Sequence, residues 1–180
     1  MAKQLIPGNN AISIDNNGWV LFKRPHGRFY SMTTQAIANT AVNTQVLTYE
    51  KITDVEGLGF TIGDSKIYVP TSGSYMITFT GTANISGSSN KRINVWLKVD
   101  GSTINETNKM EFIPTTTTYA TITASFIVDL NVGQYVEMGT WGDATQCQWI
   151  ATTGLTGPTR PDCPSVVTTV VKVSSKLSYE

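Results

Sequence analysis

The sequence holds little charge: Lys, Arg, Asp and Glu make up 14% of its 180 residues, thirteen basic against thirteen acidic. An average soluble domain carries about 25%, and the even balance excludes a net field that would draw the chain to nucleic acid or an anionic membrane. Long apolar runs are missing too. Nowhere do the ~18 consecutive apolar residues of a membrane-spanning helix occur, and the opening Met-Ala-Lys-Gln-Leu-Ile-Pro-Gly has no apolar stretch of signal-peptide length. The expectation is synthesis in a cytoplasm without membrane insertion.

Histidine is nearly absent. His26 stands alone between Pro25 and Gly27, and no G-x-S-x-G elbow accompanies it, so a Ser-His-Asp hydrolase is not expected. Cysteine is scarce as well. Cys147 and Cys163 form no C-x-x-C pair and fall short of a zinc ligand set. They read as two reduced thiols or as a disulfide closing the stretch between them. The carboxylates Asp54, Glu56, Asp64, Glu106 and Glu111 are scattered near turns rather than paired as a glycosidase needs. Gly57-Leu58-Gly59 lacks the third glycine and the strand–helix setting of a nucleotide fingerprint. Calcium has a candidate in Asp143 and Asp162, against the plainer reading of a solvated loop. The chain reads as non-enzymatic, with no cofactor.

Threonine, serine, asparagine and glycine take the place of charge, together with period-two alternation. Tyr75, Ile77 and Phe79 alternate with Met76, Thr78 and Thr80; Ile93, Val95, Leu97 and Val99 alternate with Asn94, Trp96 and Lys98. Asp100-Gly101 is a hairpin turn of the primed type, where glycine accepts the positive φ. In the longest run Ala120, Ile122, Ala124, Phe126 and Val128 share one face and Tyr119, Thr121, Thr123, Ser125 and Ile127 the other. Asn131 to Gln134 turns the chain into Tyr135 to Thr140, and Val166 to Val173 is a β-branched final strand. This pattern predicts an all-β, two-sheet antiparallel sandwich.

Two regions break it. Residues 141–165 hold Gly142, Gly154, Gly157, Pro158, Pro161 and Pro164 and are expected to be an irregular loop, a length more often functional than accidental. Ile12, Ile14, Asn16-Asn17-Gly18 and Trp19 to Phe22 suggest a hairpin apart from the main body. It is followed by the basic connector Lys23 to Arg28. A boundary near residue 34 then divides an arm, 1–34, from a domain, 35–180.

Phe60 through Gly81 contains Val69, Pro70, Gly73, Tyr75, Ile77 and Phe79 in the spacing V-P-x-x-G-x-Y-x-h-x-F. That spacing resembles the complement component one-q and tumour-necrosis-factor superfamily. Val95 to Gly101 and Phe126 to Met138 are similar to two further segments of it, with Gln134 in place of the usual acidic residue. The resemblance spans roughly 35–173 and implies a ten-strand jelly roll that packs as a homotrimer. The version it looks most like occurs in bacteriophage virion proteins: capsid decoration proteins, head fibres and fibre tips. By that likeness the N-terminal arm attaches to a major capsid protein or another virion protein, and the protein sits on the outer surface of the particle.

Trp96, Tyr119, Ile127 and Tyr135 fall on the polar faces of their strands and are expected at the subunit contacts, or else as isolated rings half-covered by loops. Trp19, Phe22, Lys23, Arg24 and Arg28 are the candidates for attachment. Trp141, Asp143 and Trp149 lie in the long loop, where the rings either pin it to the sandwich or stack on a host surface glycan.

Overall fold

The computed structural model describes residues 12–14, 20–22, 24–37, 45–85, 90–114, 119–154 and 161–175. All the regular structure among them is β. The first pair, β1 (Ile12–Ile14) and β2 (Val20–Phe22), forms a two-stranded antiparallel sheet of its own with Ile12 opposite Phe22. The hairpin expected from the sequence is present.

In chain order there follow β3 (His26–Ser31), β4 (Gln35–Ala36), β5 (Gln45–Val46), β6 (Lys51–Glu56), β7 (Gly59–Phe60) and β8 (Ile67–Tyr68). Then come the long strands β9 (Gly73–Ile85) and β10 (Lys91–Val99), and after them β11 (Ser102–Thr103) and β12 (Lys109–Ile113). The chain closes with β13 (Ala120–Leu130), β14 (Tyr135–Gly142), β15 (Cys147–Trp149) and β16 (Val166–Ser175).

They assemble into two antiparallel sheets of seven segments each. The first is built on β9, flanked by β13 on one side and by β16, β3 and β6 on the other, with β15 and β4 continuing where β16 stops. The second centres on β10 and β14, bordered by β11 and β12 at one edge and by β5, β8 and β7 at the other.

The alternation read from the sequence sets which side of each strand is buried. Tyr75, Ile77 and Phe79 of the first sheet face Ile93, Val95, Leu97, Val136 and Met138 of the second, all essentially without solvent contact. Each such side chain contributes on the order of 1.5–3 kcal/mol. Asp100 (φ 48°) and Gly101 (φ 78°) make the primed turn between β10 and β11, whose twist matches that of the strands it joins.

Two expectations need correction. The domain does not begin at residue 35: β3 pairs with both β16 and β6 inside the first sheet, so Arg28 belongs to the sandwich and the separate hairpin ends near Phe22. Residues 141–165 are not irregular throughout. Gly142 closes β14, Cys147–Trp149 is a strand of the first sheet, and Thr152 and Cys163 exchange backbone hydrogen bonds of 2.9 and 2.8 Å. Gly73, from the motif, is the first residue of β9. Its φ is 155°, and an added Cβ would run into the Ser174 carbonyl and the Lys172 stem. The β16 register shifts between Lys172 and Ser174 at this point, so the need for glycine is a close backbone approach to a bulge.

Lys172 is buried on the core side of β16 and donates from Nζ to Thr71 Oγ1 at 2.9 Å. Burial lowers its pKa below the ordinary 10.5, because the ammonium loses its hydration. Between the lowered value and 10.5 the unfolded chain binds more protons, so stability rises with pH across that window. Lys172→Met, which keeps the stem and discards the charge, is expected to melt at a higher temperature than the parent at pH 7. The gap should close as the pH is brought up to 10.5. A variant less stable at pH 7, with a difference flat in pH, would show the ammonium to be no burden.

Candidate functional site

The sandwich has two outer faces, and the candidate subunit-contact residues divide between them. On β10 and β14 the outward positions are Asn94, Trp96 and Lys98 against Trp141, Gly139 and Glu137, with Tyr135 opposite Tyr68 at the far end. Trp96 does leave the core side, as the sequence implies, yet only 8% of it is exposed. It lies over Gly139, where a Cβ would come within 2.5 Å of the indole nitrogen. Its Nε1 is buried without a hydrogen-bond partner, at a cost of about 1–3 kcal/mol. The ring expected at a subunit contact, or half-covered by loops, is instead absorbed by its own sheet, because glycine on the neighbouring strand leaves room for it. Tyr135 is half-buried. Its ring packs on Tyr68 at 5.3 Å and receives the Lys66 ammonium at 5.2 Å.

Across β14, Glu137 is also buried and accepts a 2.6 Å hydrogen bond from Ser65 Oγ. Its charge adds to the burial that raises the Tyr49 hydroxyl pKa above its ordinary value, partly offset by the Tyr49–Thr168 hydrogen bond. These groups are structural tethers between strands.

Of the two readings open for Trp149, pinning the loop to the sandwich is the one the structure bears out. The ring is wholly buried, meets Phe79 edge-on at 5.3 Å, and donates Nε1–H to Thr140 Oγ1 at 3.0 Å. Thr140 Oγ1 in turn donates to the Asn94 carbonyl at 2.9 Å. Trp149 therefore ties β15 in the first sheet to β14 in the second, and it offers no face to a sugar. Asp143 is taken up by Arg92, with Oδ1 accepting the backbone N–H at 2.9 Å and Oδ2 accepting Nε–H at 3.2 Å. Asp162 accepts the Gly154 N–H at 3.0 Å. The two carboxylates have separate partners, and among the described residues no three metal-ligating side chains cluster. Trp141 stays half-buried on the outer face of β14. Both cysteines are free, Cys147 buried and Cys163 exposed. Burial pushes the Cys147 thiol up from its ordinary pKa.

Of the attachment candidates, Trp19 and Lys23 lie outside the described residues, and Phe22 is placed opposite Ile12 by the hairpin register. Arg24 donates to the Val173 carbonyl at 3.4 Å, and the Arg28 guanidinium lies 5.5 Å from the Tyr30 ring centre. Both hold to the sandwich rather than to the arm. His26 Nδ1 sits 2.7 Å from the Arg24 carbonyl.

The other outer face belongs to the first sheet, and most of its site was missed from sequence. Cross-strand register lines up Val171, Met76 and Ile127 in one row, Thr169, Thr78 and Ser125 in the next, and Val167, Thr80 and Thr123 in a third. No charged residue falls in these rows on β16, β9 or β13. Asp129 marks one end of the face and Arg28 the β3 side. The hydroxyls bond across strands, Thr78 to Ser125 at 3.2 Å and Thr80 to Thr123 at 3.4 Å. Ile127 is 73% exposed and Met76 37%. Tyr119, also exposed, precedes β13 at the end of this face. The available signal was the run of uncharged residues, threonine-rich on β9 and β13, on the outward side of three separate strands.

No family model matches this chain, and no curated protein matches it either. Among solved structures, the globular domain of zebrafish complement 1qA protein superposes with a TM-score of 0.56 at 10% identity. The match covers 84% of this chain and 99% of that one. The chain therefore has the jelly-roll fold of the complement one-q and tumour-necrosis-factor type, in agreement with the likeness read from Val69 to Phe79.

Proposed function

We propose that this protein is a non-enzymatic structural module: a homotrimer on the outside of a virus particle, decorating a bacteriophage capsid or forming a head fibre, and held there by its N-terminal hairpin. The observation that carries the trimer is the uncharged outer face of the first sheet. An apolar row of Val171, Met76 and Ile127 bordered by self-bonded hydroxyls gives water little to solvate, and monomers seldom leave a large patch of this kind open. A second copy covers it at small desolvation cost, since the Thr78, Ser125, Thr80 and Thr123 hydroxyls already have partners in their own sheet. Closure by three-fold rotation makes the contact heterologous, so this face meets a different surface of the next subunit.

Attachment falls to the hairpin because it forms its own sheet. A two-stranded hairpin is at best marginally stable alone in water and gains from a surface to lie on. The virion setting is supported by the sequence likeness, and the scarcity of charge suits a surface built for packing. Deletion of residues 1–22 is expected to abolish binding to the particle, followed by co-sedimentation with purified shells, while leaving a folded trimer. Undiminished co-sedimentation of the shortened chain would remove the hairpin from this role.

A further inference from the structure

Among the described residues strand β12 is the edge of the second sheet beyond β10, and its polarity is inverted. Register places Lys109 and Glu111 opposite Val95 and Ile93, on the side those residues bury, while Met110 and Phe112 fall on the outer side opposite Asn94 and Arg92. All four are exposed, Met110 by 49% and Phe112 by 56%. Charges turned inward on an edge normally guard it against indiscriminate strand addition. Here the two charges are opposite in sign and two residues apart, which makes the edge selective.

We infer that β12 pairs antiparallel with β12 of a second copy about a two-fold axis at Met110. A two-fold perpendicular to the sheet keeps each side of the strand on its own side, so only registers that pair like parity are allowed. Centring on Met110 sets Lys109 against Glu111 of the partner and Glu111 against Lys109, with the two methionines in contact. Centring one residue further sets Glu111 against Glu111, and centring one residue earlier sets Lys109 against Lys109. Opposite charges directly across strands stabilise and like charges destabilise, so the Met110-centred register is selected. The contact is isologous. It joins two second sheets edge to edge and leaves the outer face of the first sheet free, so it links subunits independently of the trimer. Its small area places it among weak contacts, suited to copies held at high local concentration on a common surface.

Sedimentation velocity on the full chain over a concentration series tests this. Reversible association of the smallest species, with doubling of its mass as the first step, is expected, weakening as salt is added. Lys109→Glu and Glu111→Lys singly should each weaken the doubling by about tenfold or more, since each creates two like-charge pairs. Both changes together restore the matched register and should return the association to within about threefold of the parent. No doubling at any attainable concentration, or single reversals without effect, would overturn the inference. So would a double exchange no better than either single one. Because the mass of the smallest species is read separately from its doubling, failure here is distinguishable from failure of the trimer.

Discussion

Trp149→Ala is expected to cost about 3–5 kcal/mol of folding free energy, the range for removing a fully buried large ring. Three separate contributions are lost together. The ring fills space between the sheets, its edge contact with Phe79 disappears, and Thr140 Oγ1 loses the N–H that now reaches it at 3.0 Å. The site cannot collapse easily, because Gly81 sits directly beneath the ring: a Cβ there would lie 2.6 Å from Trp149 Cε3 and 2.7 Å from Phe79 Cζ. The same geometry makes Gly81→Ala destabilising by about 1–3 kcal/mol through overpacking. The two changes should be strongly non-additive, since removing the indole removes most of the clash. Urea unfolding of the two single variants and the double one measures this. A Trp149→Ala loss below about 1 kcal/mol, or simple additivity with Gly81→Ala, would mean that the ring does not hold the sheets together.

Ile127→Glu is expected to convert the trimer into single folded subunits. Ile127 is 73% exposed in the isolated subunit, so a carboxylate there is harmless to the fold. Three-fold assembly, in contrast, would bury three such charges without countercharges, at a cost of several kcal/mol for each ion. Met76 and Val171 flank it in the same row. Circular dichroism should be unchanged while light scattering reports the mass of one chain. An Ile127→Glu protein that remains trimeric would place the contact elsewhere on the molecule.

How far the fold was legible follows from what each pattern physically encodes. Period-two alternation is caused by burial of one side of a strand, so Tyr75, Ile77 and Phe79 and their counterparts in β10 and β13 could be assigned directly. Asp100-Gly101 announced its turn because few residues tolerate positive φ. Alternation is silent about strands of two or three residues, which explains why β4, β5, β7 and β15 were not seen and why residues 141–165 read as loop. It is silent also about what crosses a sheet. Trp96 was placed correctly on the outer side, but its burial depends on Gly139, forty-three positions away and adjacent only through the β10–β14 register. The same holds for Gly73, whose need for glycine comes from Ser174. The basic run at Lys23 to Arg28 looked like a linker because Pro25 and Gly27 interrupt it. In the folded chain Gly27 lies opposite Val170 within β3, and an added Cβ would meet the Phe29 ring. The apolar row and the two hydroxyl-bearing rows were present in the sequence as outward positions of separate strands, and only the pairing of β13, β9 and β16 gathers them onto one face.

Three copies joined through that hydroxyl-bordered face is the claim on which the rest turns. Sedimentation equilibrium of the intact protein at micromolar concentration tests it most directly. A single species of three times the 19.6 kDa chain mass is expected, before any further association. A stable, folded species of 19.6 kDa would contradict it.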